Sequence, residues 1–115
     1  MGRISPLLLL TACAPTWQDM EPDQVCSDVG FAISARTMEC TGDPDLAAAR
    51  DAALTRDYRC EVRSVEDVPI DRYYHCPIAV YDLGCKAVER NGDDLDLWLE
   101  ASWVCDVILT PKGAE

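Results

Sequence analysis

The chain has 115 residues, 49% of them hydrophobic, which fits one small folded domain and not a disordered segment. It carries 21 acidic and 10 basic residues and a formal net charge of −11. Such an acidic surface repels nucleic-acid phosphates and anionic lipid headgroups, so nucleic-acid binding is excluded as a function and any membrane attachment must come from an anchor.

An arginine, a leucine run and two small residues precede the first cysteine, in the layout of an export signal. Arg3 is followed by LLLLTAC over residues 7–13. The last four of these, Leu10-Thr11-Ala12-Cys13, resemble the lipobox of bacterial lipoproteins. In that family the cysteine thiol receives diacylglycerol and signal peptidase II cleaves before it. The resemblance implies a signal peptide over 1–12, lipid attachment at Cys13, and no cofactor besides that covalent acyl lipid.

The residues around Cys13 also predict a destination. Ala14 stands where an Asp retains enterobacterial lipoproteins at the inner membrane, so the resemblance implies the outer membrane, on its periplasmic or cell-surface face. Residues 13–23 are polar, contain two prolines and predict a lipidated tether. The alternative is an ordinary secretory signal with a free Cys13. Because signals usually have about 15 or more residues, we expect further coding sequence upstream of Met1.

Two start signals of the same kind predict a pair of helices. Pro22, followed by an acidic residue, predicts a helix over 22–40 that Gly42 ends. Asp43 as N-cap and Pro44 at the first position predict a second helix over 44–58. Gly42 allows an antiparallel hairpin between them. This cysteine-rich helical pair, with the charged segment after it, resembles small cysteine-rich lipoproteins of the myxobacterial type, which implies no particular activity.

The next segment predicts a loop and a third helix. Residues 59–69 are charged and end at a proline, which is typical of a loop. Pro77 suits the first turn of a helix over 77–90, ended by Asn91-Gly92. We expect His75 to pack beside two tyrosines at the start of this helix. Its apolar face is predicted from residues at helical spacing, which are Ile78, Tyr81, Cys85 and Val88.

The carboxyl-terminal segment fits two structures. Asp93 and Asp94 predict the cap of a fourth helix, with Leu95 and Trp98 on its buried face. Apolar residues also alternate from 95 to 109, which predicts a strand, with Asn91-Gly92 as the turn of a hairpin over 85–108. We favour the helix because leucine, glutamate and alanine dominate and adjacent aspartates suit a helix start.

The cysteine count supports both export and lipidation. Seven cysteines are heavy usage for a cytosolic chain but ordinary for an exported one. If Cys13 carries lipid, an even set remains for three disulfides: Cys26, Cys40, Cys60, Cys76, Cys85 and Cys105. On single helices, Cys26 and Cys40 lie about 21 Å apart and Cys76 and Cys85 about 13 Å, beyond the ~7 Å that a disulfide allows. About ten of the 15 pairing schemes stay open.

No catalytic or metal-binding residues are predicted. The patterns of serine hydrolases, zinc proteases and phosphate-binding loops do not occur in the sequence, nor does a close cysteine pair. Residues 91–96 are dense in oxygen ligands, but Gly92 comes too early for a calcium-binding loop. A calcium-stabilised adhesion or surface module, and an envelope hydrolase built around His75, are retained as alternative functions.

We therefore predict a mainly α fold, a small disulfide-stapled bundle of three to four helices over residues 24–110, with a tail at 111–115. The alternative is an α+β fold with the carboxyl-terminal hairpin. The predicted function is a non-enzymatic, membrane-anchored envelope lipoprotein, either structural or binding a protein partner. Trp98 and Trp103 are the candidate anchors for that partner where they do not belong to the core.

Overall fold

The computed structural model describes residues 22–60 and 70–113, so the signal peptide, Cys13, Ala14 and most of the predicted tether lie outside the described residues. The described elements, in chain order, are α1 (Pro22–Thr41), α2 (Pro44–Asp57), β1 (Tyr58–Cys60), a 3-10 helix (Ile70–Tyr74), α3 (His75–Tyr81), α4 (Cys85–Asn91), α5 (Leu95–Leu99), α6 (Trp103–Ile108) and β2 (Leu109–Pro111). The predicted mainly α fold is confirmed. None of these helices is long and apolar enough to cross a bilayer.

The hairpin of α1 and α2 forms as predicted. Gly42 ends α1 with a positive φ of 71° and donates its N–H to the Met38 carbonyl. The Asp43 carboxylate accepts hydrogen bonds from the first free N–H groups of α2, whose first residue is Pro44. The two helices approach closely at Gly30, where a Cβ would overlap the Asp51 carboxylate. Local start and stop signals therefore fix this half of the body.

The predicted third helix over 77–90 is wrong in one respect, because the structure contains two helices there. Residues 82–84 interrupt it between α3 and α4, and Gly84 has extended backbone as the N-cap of α4. The Leu83 carbonyl accepts a hydrogen bond from Arg36 Nε at 3.0 Å, so it is held by α1 and not by a continuing helix. A disulfide joins Cys85 to Cys40 at the same place.

The carboxyl-terminal segment is helical, and the alternative hairpin over 85–108 is wrong. The Asp94 carboxylate caps α5 and the Ser102 hydroxyl caps α6, each by accepting a backbone N–H two residues further on. Burial follows the helical period and not the alternation, since Leu95, Trp98 and Leu99 are buried. The segment forms two short helices instead of one, which raises the helix number above the predicted three to four.

A two-stranded antiparallel ladder closes the body, and the sequence did not predict it. β1 pairs with β2 so that Tyr58 lies opposite Pro111 and Cys60 opposite Leu109. The prediction of a loop beginning at residue 59 is therefore wrong for its first two residues. The Lys112 N–H donates to the Asp57 carbonyl, so the body continues past the predicted boundary at residue 110.

The core surrounds α1, which packs against α2, α3, α4 and β1. Its largest fully buried side chains include Trp98, Ile33 and Ile108. Three disulfides join the elements around this core: Cys26–Cys60, Cys40–Cys85 and Cys76–Cys105. The predicted exclusion of the pairs Cys26–Cys40 and Cys76–Cys85 is confirmed, and both ends of α1 are tied to other segments.

Candidate functional site

An apolar groove runs between α1 and α3, with a cavity volume of about 280 Å³. We call it the α1–α3 groove. Both helices contribute to it because each turns one apolar side away from the core. Its lining residues are Asp28, Phe31 and Ala32 of α1, Tyr74 of the 3-10 helix, Pro77, Ile78 and Tyr81 of α3, and Asp82.

Three large apolar side chains of this groove are exposed to solvent. Phe31 is 66% exposed, Ile78 55% and Tyr81 45%, although each helix also supplies buried residues to the core. Single exposed apolar residues are ordinary, but several around one cavity mark a binding surface. The predicted apolar face of helix 3 is thus partly wrong: Val88 is buried, while Ile78, Tyr81 and Cys85 face solvent.

Carboxylates border the groove. Asp28 and Asp82 line it, and the Tyr81 hydroxyl donates to Glu39 Oε1 at 3.2 Å. Among the described residues that line the groove, none is lysine or arginine. Burial raises the pKa of the Tyr74 phenol, and the charge of Asp28 together with its hydrogen bond raises that pKa further. The phenol therefore stays protonated, and the groove carries negative charge beside its apolar surface.

An arginine cluster, which we call the Arg36 cluster, lies next to the groove. It consists of Arg36, Glu39, Cys40, Leu83 and Cys85. The guanidinium donates to Leu83, forms an ion pair with Glu39, and places Nη2 3.7 Å from Cys40 Sγ and 4.0 Å from Cys85 Sγ. This one side chain connects α1 to the turn after α3 and to an exposed disulfide.

Two further clefts have similar volumes but a different character. One, of about 270 Å³, lies against the Cys26–Cys60 disulfide and includes Asp51. The other, of about 310 Å³, lies between α2 and Asp93. Charged groups in the latter pair with each other: Arg56 donates to Asp57, and this hydrogen bond lowers the pKa of Asp57. Neither cleft presents the exposed aromatic side chains of the α1–α3 groove.

The structure separates the two predicted tryptophan anchors. Trp98 is 0% exposed and donates its indole N–H to the Gly92 carbonyl, so it belongs to the core and is excluded as a surface anchor. Trp103 is 60% exposed on α6 but does not line the groove, and its role as an anchor stays a prediction. The helical spacing of Leu95 and Trp98 was the signal that separated them, since it placed Trp98 on the buried face of the predicted fourth helix.

The other candidate residues have structural contacts or lie at the surface. His75 is exposed and Tyr73 is buried, and the packing of His75 with the neighbouring tyrosines stays a prediction. In the acidic segment, Asp93 pairs with Arg50, and Asp96 accepts a hydrogen bond from the Tyr58 hydroxyl. Within residues 22–60 and 70–113, no group of three or more histidine, cysteine or acidic side chains is placed to hold a metal ion.

Comparison of the chain with protein-family models, curated proteins and solved structures finds no match. Its function is therefore inferred from the geometry of its own residues. The exposed groove residues were the part that sequence reasoning missed. The one available signal was Phe31, which falls outside the apolar stripe of α1 formed by Val25, Val29, Ala32 and Ile33.

Proposed function

We propose that the chain is a membrane-anchored, non-enzymatic envelope lipoprotein whose α1–α3 groove binds a basic, amphipathic segment of a protein partner. The observation that carries this proposal is the set of exposed apolar side chains around one cavity, bordered by carboxylates. Apolar surface favours burial by a partner, and the carboxylates select a partner with positive charge.

Two independent features support the anchor. Leu10-Thr11-Ala12-Cys13 resembles a lipobox, and Ala14 fits an outer-membrane destination. The six cysteines of the described residues pair with one another in three disulfides, which leaves Cys13 for another use. Disulfides persist in oxidising compartments, and the bacterial envelope is one of these.

A protein segment fits the groove better than a small molecule or a lipid surface. The cavity lies just below the roughly 300–1,000 Å³ of pockets that enclose small-molecule ligands, so it suits one or two side chains. Anionic headgroups are repelled by Asp28 and Asp82 and by the net charge of −11. A helix that lays one apolar face along the groove would place lysine or arginine beside these carboxylates.

The groove is tested with a synthetic amphipathic peptide that has leucines on one face and flanking lysines. We expect it to bind the folded protein, and Phe31→Ser together with Ile78→Ser to weaken binding by about tenfold or more. Trp103→Ser is the matched control, since this side chain is equally exposed but lies outside the groove. Asp82→Asn should weaken binding at low salt, whereas Asp106→Asn, which removes an exposed charge from α6, should not.

Several results would contradict the proposed binding of a basic, amphipathic segment in the groove. If the same peptide with glutamates in place of lysines binds equally well, charge complementarity is not involved. If Trp103→Ser alone abolishes binding, Trp103 is the anchor for the partner, as the sequence predicted, and the groove is not the binding surface. Vesicles with anionic or zwitterionic headgroups should bind the unlipidated protein weakly, and strong binding that Phe31→Ser removes would identify a lipid surface instead.

The anchor is tested by Cys13→Ser in a Gram-negative host. We expect the wild-type protein to fractionate with membranes and to carry acyl chains by mass spectrometry, and the variant to lose both. Ala14→Asp is a second variant that keeps the lipid but should move the protein to the inner membrane in an enterobacterial host. A Cys13→Ser variant that remains in the membrane fraction would contradict the lipid anchor.

A further inference from the structure

The three disulfides differ in their access to solvent. Both cysteines of Cys76–Cys105 are fully buried in the core. Cys26 is also buried, and its partner Cys60 is half-buried. In the Cys40–Cys85 disulfide, by contrast, Cys85 is exposed and Cys40 half-buried. A thiolate from solution therefore meets Cys85 before any other disulfide cysteine of the described residues.

A fixed cation lies beside this exposed disulfide. Arg36 Nη2 lies 3.7 Å from Cys40 Sγ and 4.0 Å from Cys85 Sγ. The hydrogen bond to Leu83 and the ion pair with Glu39 hold the guanidinium in this position before any reaction begins. Arginine stays protonated at all relevant pH values, and a positive charge at this distance stabilises a thiolate that forms on either sulfur.

A carboxylate lines the cleft beside the other partly accessible disulfide, Cys26–Cys60. The cleft beside Cys26–Cys60 is lined by Asp51, and among its described lining residues none is lysine or arginine. A carboxylate there opposes both an incoming thiolate and a departing one. Access and charge therefore point to the same disulfide.

We propose that Cys40–Cys85 is a thiol–disulfide exchange site that reacts with external dithiols. A thiolate of the dithiol attacks the exposed Cys85 Sγ, the Cys40–Cys85 bond breaks, and its electron pair leaves on Cys40 Sγ as a thiolate beside Arg36. Cys85 is then joined to the reductant as a mixed disulfide. The second thiol of the reductant loses its proton to solvent and attacks the reductant sulfur that is bonded to Cys85. The mixed disulfide breaks, and Cys85 leaves as a thiolate that takes up a proton.

The exchange balances without a further reagent. The dithiol loses two electrons and becomes a disulfide. The protein disulfide gains these two electrons and is reduced to two thiols. The reaction is reversible, so an oxidised dithiol restores the Cys40–Cys85 bond. The body keeps two disulfides and the Arg36–Leu83 hydrogen bond, so we expect the reduced form to stay folded.

The order of reduction tests this assignment in the intact protein. The folded chain is exposed to limiting dithiothreitol, quenched with an alkylating reagent and mapped by mass spectrometry. We expect label on Cys40 and Cys85 first, at a rate at least about tenfold above that of the other four cysteines. A monothiol such as 2-mercaptoethanol should be trapped as a mixed disulfide on Cys85 and not on Cys40.

The role of the guanidinium needs its own variants. Arg36→Gln should slow reduction of Cys40–Cys85 by about fivefold or more, and Arg36→Lys should restore part of the rate because it keeps the charge. Arg56→Gln is the control, since this exposed arginine pairs only with Asp57 among the described contacts. Circular dichroism and the melting temperature establish that each variant is folded at the assay temperature.

Three outcomes overturn the proposal, and the wild-type measurements alone can produce the first two. Reduction of all three disulfides together would mean that global unfolding and not local access controls the reaction. Earlier reduction of Cys26–Cys60 would place the reactive site in the other cleft. Unchanged rates in a folded Arg36→Gln variant would remove the guanidinium from the mechanism.

Discussion

Arg50 is a buried cation that joins three parts of the body. Its Nη1 donates to Thr37 Oγ1 of α1 at 3.1 Å, and its Nε donates to Asp93 Oδ1 at 3.1 Å. The guanidinium carbon lies 5.8 Å from the ring centroid of Trp98, within cation–π range. A buried charge is tolerated only with such partners. The cluster therefore fixes α1, α2 and the start of α5 relative to one another.

We expect Arg50→Ala to lower the free energy of unfolding by about 2–3 kcal/mol, because it leaves the buried Thr37 hydroxyl without its partner and removes packing from Trp98. Asp93→Asn should cost less than about 1 kcal/mol, since the Asp93 side chain is 83% exposed and water screens the ion pair. Urea unfolding of both variants measures the difference. Equal losses would mean that the ion pair, and not the buried contacts, stabilises the fold.

The raised pKa of the Tyr74 phenol predicts that the folded protein loses stability at high pH. Burial, then the charge and hydrogen bond of Asp28, raise the pKa of this phenol above the ordinary value of about 10. Above pH ~10 the unfolded chain therefore holds fewer protons than the folded one, so stability falls as pH rises. The contribution is complete below pH ~10 and is lost as the pH passes the raised pKa.

The measurement is the melting temperature from pH 8 to 11.5 in wild type and Tyr74→Phe. We expect the wild-type melting temperature to fall more steeply above pH ~10, because the phenylalanine variant lacks the raised titration. Asp28→Asn should lie between the two, since it removes the charge but not the burial. Superimposable profiles for wild type and Tyr74→Phe would show that this phenol does not contribute.

At the scale of elements, α1 and α2 were predictable because their signals are local. A proline in the first turn, an aspartate cap and a glycine stop lie within a few residues of the boundaries they set. The break at residues 82–84 was not predictable, because it depends on Arg36 and Cys40, more than 40 residues away in sequence. Ile78 and Tyr81, which precede this break on α3, face solvent and line the groove. The three-residue strands pair over an even longer separation and leave no period to detect.

Gly42 and Gly84 lie at helix ends that are set in different ways. Gly42 ends α1 through a local signal, whereas Gly84 begins α4 at the break that depends on distant residues. At both positions an added Cβ meets nothing within 4 Å, but Gly42 has a φ of +71° and Gly84 does not have a positive φ. We expect Gly42→Ser to destabilise the fold by about 1 kcal/mol, because serine resists the left-handed conformation. Gly84→Ser should stabilise it by about 0.5–1 kcal/mol, because the hydroxyl can cap α4, which has no side-chain cap. Denaturant titrations that give both variants the same sign would contradict this.

At the scale of the whole molecule, the disulfides form one connected series. The loop closed by Cys26–Cys60 overlaps the loop closed by Cys40–Cys85, which in turn overlaps that of Cys76–Cys105. The Cys40–Cys85 disulfide therefore links the part of the body closed by Cys26–Cys60 to the part closed by Cys76–Cys105. Parity predicted the six cysteines and helix geometry excluded two pairs, but the choice among the remaining schemes depends on the tertiary fold.

Chain entropy and burial rank two of these disulfides in opposite order. Cys40–Cys85 closes a separation of 45 residues and Cys76–Cys105 one of 29, so the loop model favours the former by about 0.4 kcal/mol. Both sulfurs of Cys76–Cys105 are fully buried, and replacing them with alanine leaves a core cavity that costs about 1–2 kcal/mol more. We expect burial to dominate. The Cys76→Ala, Cys105→Ala variant should therefore be less stable than the Cys40→Ala, Cys85→Ala variant by about 1 kcal/mol in guanidinium unfolding. The reverse order would mean that loop closure outweighs packing in this small core, and that the exposed disulfide is the main constraint on the unfolded chain.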